Sequence, residues 1–261
     1  MLLDFSKIPF DILIQAGQSN AEGFGFGHVE KPYQPNSNVW YLNGDFTITH
    51  AAEKATNNAV QGNFSLSFAQ CYLDKGLLAE DRSLLILRCA EGGTGFCDHR
   101  WGLEDDLYLR MLEMIRTALS LNPANRLVAL LWHQGEIDGS AQASFQLHHT
   151  NLQKLVNGVR STFHVPELPF IAADFVPQWF EMRRENLAPI TEAIRAVCSE
   201  HPKNRFVETH GLHSNSQDLT FPHPLMTPEQ FAKYGDYGHF SRKSTYELGK
   251  RYFDAFVSCL N

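Results

Sequence analysis

Phe10-Asp11-Ile12-Leu13-Ile14-Gln15-Ala16, followed at once by Gly17-Gln18-Ser19-Asn20, is the stretch on which the fold turns. Its first seven residues are largely apolar, lack helical spacing and stop at a polar, glycine-bearing turn. An apolar run this short suits a strand buried on both faces, as in a parallel sheet covered by helices. Residues 39–42, 84–89, 127–132 and 170–173 repeat the pattern. Between these runs lie segments with helical spacing. The firmest is 103–121, where Leu107, Met111, Met114, Ile115 and Ala118 recur at three or four residues until Asn122-Pro123 ends it. Weaker helical patterns cover 64–76, 145–163, 182–197 and 241–256, the last with Ser241 as its N-cap. This alternation predicts an α/β fold. Open α/β sheets place ligands at the carboxyl ends of their strands, which is where Ser19 would stand.

Composition narrows the function classes. The chain has 261 residues, 43% hydrophobic and 20% charged, as expected of one globular domain spanning 1–261. Its 29 acidic and 22 basic residues give a net charge of -7, which on average repels nucleic acid and anionic membrane surfaces. The longest apolar run, 127–132, is far below the roughly 20 residues of a membrane span. Five scattered cysteines without a Cys-x-x-Cys pair read as thiols of a reducing compartment. Residues 1–10 do not form a secretory signal. The expectation is a cytoplasmic protein, a separately removed leader staying open, as does oligomeric state. The stretch 211–237, rich in Pro, His, Ser and Asp, is long enough to be read as an ordered functional loop.

Four polar loops carry residues suited to ester hydrolysis. Ser19 either acts as a nucleophile presented by a tight turn or caps the following helix. Asp236-Tyr237-Gly238-His239 puts an acid and a base within one turn, so that His239 could accept a proton from Ser19 while Asp236 orients it; the alternative is a surface histidine beside a turn aspartate. Trp132-His133-Gln134-Gly135-Glu136-Ile137-Asp138 follows the apolar run 127–132, and Gln134 could donate to a developing oxyanion. Gly92-Gly93-Thr94 follows the run 84–89, where glycine allows close backbone approach or simply supplies a positive φ.

Together, G-Q-S-N, G-G-T, the W-x-Q-G-E-x-D block and D-x-x-H resemble the SGNH hydrolases, in the sialate O-acetylesterase and acetylxylan esterase-like branch, carbohydrate esterase family 6. They run in order from residue 17 to 239. The resemblance implies a flavodoxin-like three-layer α/β/α sandwich with a central parallel sheet of about five strands, no metal and no cofactor. It implies Ser19 as nucleophile, His239 as base and Asp236 as its partner, with an oxyanion hole from Ser19, Gly93 and Gln134. Gln18, Asn20, Thr94 and Glu136 are expected to touch substrate or to brace the residues that do, and Asp138 to brace a loop. Gln134 stands where the wider superfamily has asparagine, and Ala21 where many members have methionine, which leaves acyl preference open. The implied reaction removes acetyl groups from a small acetylated saccharide of the xylo-oligosaccharide or sialic acid type. Trp101, Trp179 and Phe96 are candidates for a sugar platform or for core packing.

Other readings weigh less. Gly23-Phe24-Gly25-Phe26-Gly27 lacks the spacing of a nucleotide loop and reads as a flexible wall beside Ser19. His148-His149 with His133 and Glu136 lacks H-E-x-x-H, and adjacent helical histidines diverge. A lipase- or thioesterase-like hydrolase of other acyl esters is the enzymatic alternative. A catalytically silent carbohydrate-binding protein is the non-enzymatic one.

Overall fold

The computed structural model describes residues 4–219 and 223–260. Along the chain run β1 (Phe10–Gly17), α1 (Ser19–Glu22), β2 (Val39–Leu42), β3 (Ile48–His50), β4 (Lys54–Thr56), β5 (Ala59–Gln61), α2 (Phe64–Asp74), β6 (Ser83–Arg88) and α3 (Asp106–Ser120). They are followed by β7 (Arg126–His133), α4 (Glu136–Ser140), α5 (Phe145–Thr162), β8 (Phe170–Ala173), α6 (Pro177–Met182) and α7 (Arg184–Ser199). The last elements are β9 (Asn204–Val207), α8 (Asn215–Asp218), α9 (Pro228–Tyr234) and α10 (Arg242–Leu260).

The main sheet has seven strands in the order β3-β2-β6-β1-β7-β8-β9. All neighbours pair in parallel except β3, which runs antiparallel to β2 at one edge. The α/β class expected from the alternation, and the sandwich implied by the resemblance, are what form. The sheet is wider than the five expected strands, because β3 and β9 close the two edges. A separate hairpin, β4-β5, stands apart from it.

Alternation along the strands divides the core. Phe10, Ile12, Ile14 and Ala16 of β1, Leu85 and Leu87 of β6, and Leu130 and Trp132 of β7 pack with α3, α5 and α7 on one face. Leu13, Leu84, Ile86, Ala129 and Leu131 point the other way, into a second core with α2 and α10. Because a strand's side chains alternate, every inner strand must be apolar on both faces, which explains the near-continuous runs.

Helix boundaries differ from the sequence reading by a few residues, as where α3 begins at Asp106 and α10 runs on to Leu260, and two segments differ more. The pattern over 182–197 resolves into α6 and α7, with α7 beginning at Arg184. The loop 211–237 holds α8 and α9, while residues 220–222 lie outside the described structure. Ser241 does precede α10, and its hydroxyl accepts from the Ser244 N–H at 3.2 Å. Among the described residues, no helix is long and apolar enough to cross a membrane.

One charge stands inside this apolar frame. Asp11, fully buried on β1, accepts from Tyr72 at 2.7 Å and from Arg82 and Arg126 at 2.7 Å each. Burial pushes its carboxyl up, but hydrogen bonds from Arg126, Tyr72 and Arg82 outweigh this and hold it below the usual carboxylate range. Its stabilising contribution is therefore present above the unfolded carboxylate pKa and lost as pH falls through the lower folded value. Asp11→Asn should cost about 3 kcal/mol in urea unfolding at neutral pH. The gap from wild type should narrow as the same titration is repeated toward acid.

Candidate active site

β1 ends at Gly17 with φ +129, and a Cβ there would run into the His133 carbonyl on β7. The Gln18 N–H donates to that carbonyl at 3.0 Å, so two central strands are locked together where the chain turns. α1 starts immediately, with Gln18 as its N-cap residue and Ser19 as its first helical residue. Ser19 therefore does not cap the helix. Its Oγ lies 2.9 Å from His239 Nε2.

The other side of this contact comes from the segment before α10. His239 Nδ1 lies 2.8 Å from Asp236 Oδ1, completing a hydrogen-bonded chain from Ser19 to Asp236. Asp236 is buried, and its second oxygen accepts from Asn215 Nδ2 at 2.7 Å and from His223 Nε2 at 2.8 Å. Burial would raise its carboxyl, but hydrogen bonds from His223 and His239, the charge of His239 and the Asn215 bond hold it well below the usual range. Burial would lower His239, yet the bond to Asp236 and its charge, with Glu136 and Glu22 also facing the ring, push it above the usual histidine value. The Phe24 ring stacks on His239 at 5.4 Å between centroids. The glycine-rich segment is thus a wall of the site, but not the flexible one expected. It is a packed one: a Cβ at Gly25 would meet Arg242 and Thr245.

Asn20 joins the two ends of the chain. Its Nδ2 donates to Gly238 O at 2.9 Å and to Glu136 Oε1 at 2.8 Å, and its Oδ1 accepts from Phe240 N–H at 3.1 Å. His239 is thereby gripped on both flanks. Glu136 is buried, and its second oxygen has no partner among the described residues. Burial raises its carboxyl above the usual range despite the Asn20 bond. Asn20 and Glu136 brace the histidine loop.

The loop after β6 is registered by Glu91 N–H donating to Gly17 O at 3.0 Å. Gly92 lies against Ser19, close enough that a Cβ would stand 3.5 Å from the serine Cβ, and its N–H donates to Glu22 Oε2 at 3.1 Å. Gly93, at φ +72, is exposed, and a Cβ there would point into open space. Thr94 is a brace: its hydroxyl donates to Glu91 O at 2.7 Å and accepts from Trp101 Nε1 at 3.0 Å. Trp101 and Phe96 are buried against Trp132, which makes them core residues and removes them as a sugar platform. Trp179, by contrast, is only partly buried and lies beside Gly238.

Gln134 is held more tightly than its motif suggests. Its amide nitrogen donates to Asp138 Oδ2 at 2.9 Å and to Thr94 O at 3.2 Å, while its oxygen has no partner among the described residues. Asp138 fixes this orientation, because turning the amide over would set oxygen against carboxylate. Asp138 also accepts from Cys97 N–H at 2.8 Å and lies 3.1 Å from His148 Nδ1, so it braces the loop as expected. His148 and His149 diverge, the latter bonding Glu200 at 2.5 Å. Gln18 is buried with its amide oxygen unpaired among the described residues. Asn215 and His223 escaped the sequence reading; only the composition of the loop that holds them pointed their way.

A sequence profile described as carbohydrate esterase, sialic acid-specific acetylesterase matches residues 9–258. The chain belongs to this family. It is a carbohydrate O-acetylesterase, which disposes of the silent binding protein as an alternative. A probable 9-O-acetyl-N-acetylneuraminic acid deacetylase of Escherichia coli is 24% identical over 237 residues, 70% of this chain and 71% of its own. A probable carbohydrate esterase of Arabidopsis thaliana is 28% identical over 182 residues, 62% of this chain and 68% of its own. The fold matches the crystal structure of NanS with a TM-score of 0.80 at 19% identity, over 97% of this chain and 98% of that one. An Arabidopsis thaliana structure matches at 0.73 and 21% identity, over 96% and 98%.

For this acetylesterase, Asn20→Ala removes the grip on both sides of His239. Acetate release should fall about 100-fold through misplacement of the ring. Circular dichroism should show that the fold is retained.

Proposed function

We propose that this acetylesterase works through Ser19, His239 and Asp236 by way of an acyl-enzyme. The observation carrying the reading is the chain of contacts at 2.9 and 2.8 Å from Ser19 Oγ through His239 to Asp236. Ser19 Oγ attacks the acetyl carbonyl as His239 Nε2 takes its proton. Asp236 keeps the other ring nitrogen protonated and balances the imidazolium charge. The proton then passes to the departing sugar oxygen, leaving acetyl on Ser19. Water, deprotonated by His239, attacks the acetyl group and releases acetate.

The oxyanion would be met by the N–H groups of Ser19 and Gly93, since that of Gly92 is engaged by Glu22. Gln134 joins them by exchanging its longer bond, the one to Thr94 O, for the oxyanion while Asp138 keeps the amide in place.

A cavity of about 230 Å³ beside the serine turn supports an acidic sugar over a neutral xylo-oligosaccharide. Gln15, Ala21, Glu22, Lys54, Arg88 and Arg110 are among its walls. Arg88 lies over the Tyr41 ring at 5.0 Å and donates to Glu22 O at 3.2 Å. Glu91, also in the wall, pairs with Arg110 at 3.0 Å, whereas Arg88 is in no ion pair among the described residues, so Arg88 is the cation proposed to meet a substrate carboxylate. The substrate proposed is an O-acetylated sialic acid, in keeping with the family and the E. coli relative.

Ser19→Ala should lose about 10⁴-fold or more in acetate release while staying folded; retained turnover would remove Ser19 from its role. Turnover needs neutral His239, whose pKa is raised. The rate should therefore fall as pH drops through a midpoint above the usual histidine value, and a flat profile would contradict the base assignment. Arg88→Gln should raise KM about tenfold for an acetylated sialic acid and leave 4-nitrophenyl acetate unaffected. Equal effects on both esters would shift the proposal to a neutral sugar.

A further inference from the structure

Asp236 makes one more contact than orienting His239 requires. Its Oδ2 lies 2.8 Å from His223 Nε2, and both side chains are buried. The proton on that bond is fixed by the opposite side of the ring. His223 Nδ1 accepts from Leu225 N–H at 3.1 Å, so Nδ1 carries a lone pair and Nε2 carries the hydrogen donated to Asp236. The ring cannot swing away, because Phe26 meets it edge-on at 5.0 Å and Phe231 stacks on it at 5.5 Å. Asn215 shares the same carboxylate oxygen and also accepts from Phe26 N–H at 2.8 Å. The carboxylate is therefore clamped through both oxygens: Oδ1 by His239, Oδ2 by His223 and Asn215.

We propose that His223 is a positioning residue of the esterase, a second histidine that holds Asp236 in register with His239 and limits how strongly the carboxylate attracts the His239 proton. The inference rests on the assignment of Asp236 and His239 to the reaction. The physical argument is competition for one carboxylate. Each N–H donated to Oδ2 disperses the negative charge, so less remains to stabilise the His239 imidazolium. Remove the His223 donor and Asp236 gains freedom to turn about its side-chain bonds, while the charge facing His239 becomes more concentrated. The first change disturbs the geometry of proton transfer. The second keeps His239 protonated to higher pH. Besides Asp236, the charges acting on His239 include Glu136 from α4 and Glu22 from α1, whereas His223 is hydrogen-bonded to Asp236 and Leu225.

The test compares His223→Leu, His223→Asn and His223→Gln in the full chain. Glutamine places an amide N–H near the position of Nε2, asparagine falls short of it, and leucine has no donor. Two readouts are taken: the pH profile of kcat and KM for acetate release, and the NMR titration of ¹³C-labelled His239, assigned with His239→Gln, in the Ser19→Ala background. The leucine and asparagine variants should lose about 10- to 100-fold in kcat with KM little changed. In both, the acid limb and the His239 midpoint should move to higher pH. Glutamine should recover most of the turnover and return both midpoints toward wild type. Should leucine fail to fold, asparagine against glutamine makes the same comparison.

A folded leucine or asparagine variant with unmoved midpoints and kcat within twofold of wild type would overturn the proposal. So would a glutamine variant indistinguishable from leucine. If the Ser19 assignment itself fails, Ser19→Ala keeps its turnover. The NMR titration, which needs no turnover, then still decides whether His223 governs Asp236 and His239.

Discussion

The candidate site depends on one amide. Asn20 lies directly after Ser19, and its side chain bonds Gly238 O and Phe240 N–H, on either side of His239. A buried amide finds its best state only when all its donors and acceptors are met, so the serine turn and the histidine loop are each incomplete without the other. The same nitrogen reaches Glu136, which brings in the loop after β7. Three segments far apart in sequence thus converge on a side chain with no reactive chemistry of its own.

The sheet makes this convergence possible. β1 lies between β6 and β7, so the loops leaving all three emerge at one edge. Gly17 lets β1 turn where a larger residue would meet the His133 carbonyl, and Glu91 N–H bonds the Gly17 carbonyl. The backbone thereby ties the serine turn to the Gly92-Gly93 segment, and the Glu22 side chain adds a second tie through Gly92 N–H.

The parts legible in the sequence are those whose physical requirement is local. β1, β2, β6, β7 and β8 announce themselves because both faces are buried, which demands continuous apolar residues. β9, with Asn204 and Arg205 among its four residues, has no such run, and edge strand β3 is partly exposed. Ser19, Asp236 and His239 were visible because their short motifs are written in consecutive residues. Asn215 and His223 were not, because their meaning lies in a partner 21 and 13 residues away that only the folded loop brings near. Gln134 was visible as a donor, but its engagement by Asp138 and Thr94 O was not. A motif fixes residue identity, whereas the direction of an amide depends on everything packed around it.

Ser19 and His239 stand 220 positions apart. The serine turn follows β1, the histidine loop comes just before α10, and most of the sheet lies between them in sequence. α10 packs against α2 in the second core, so the seating of the histidine loop is tied to the closing of one whole face of the sheet. The candidate site is therefore a product of the whole fold, held by long-range contacts that no single segment could make alone.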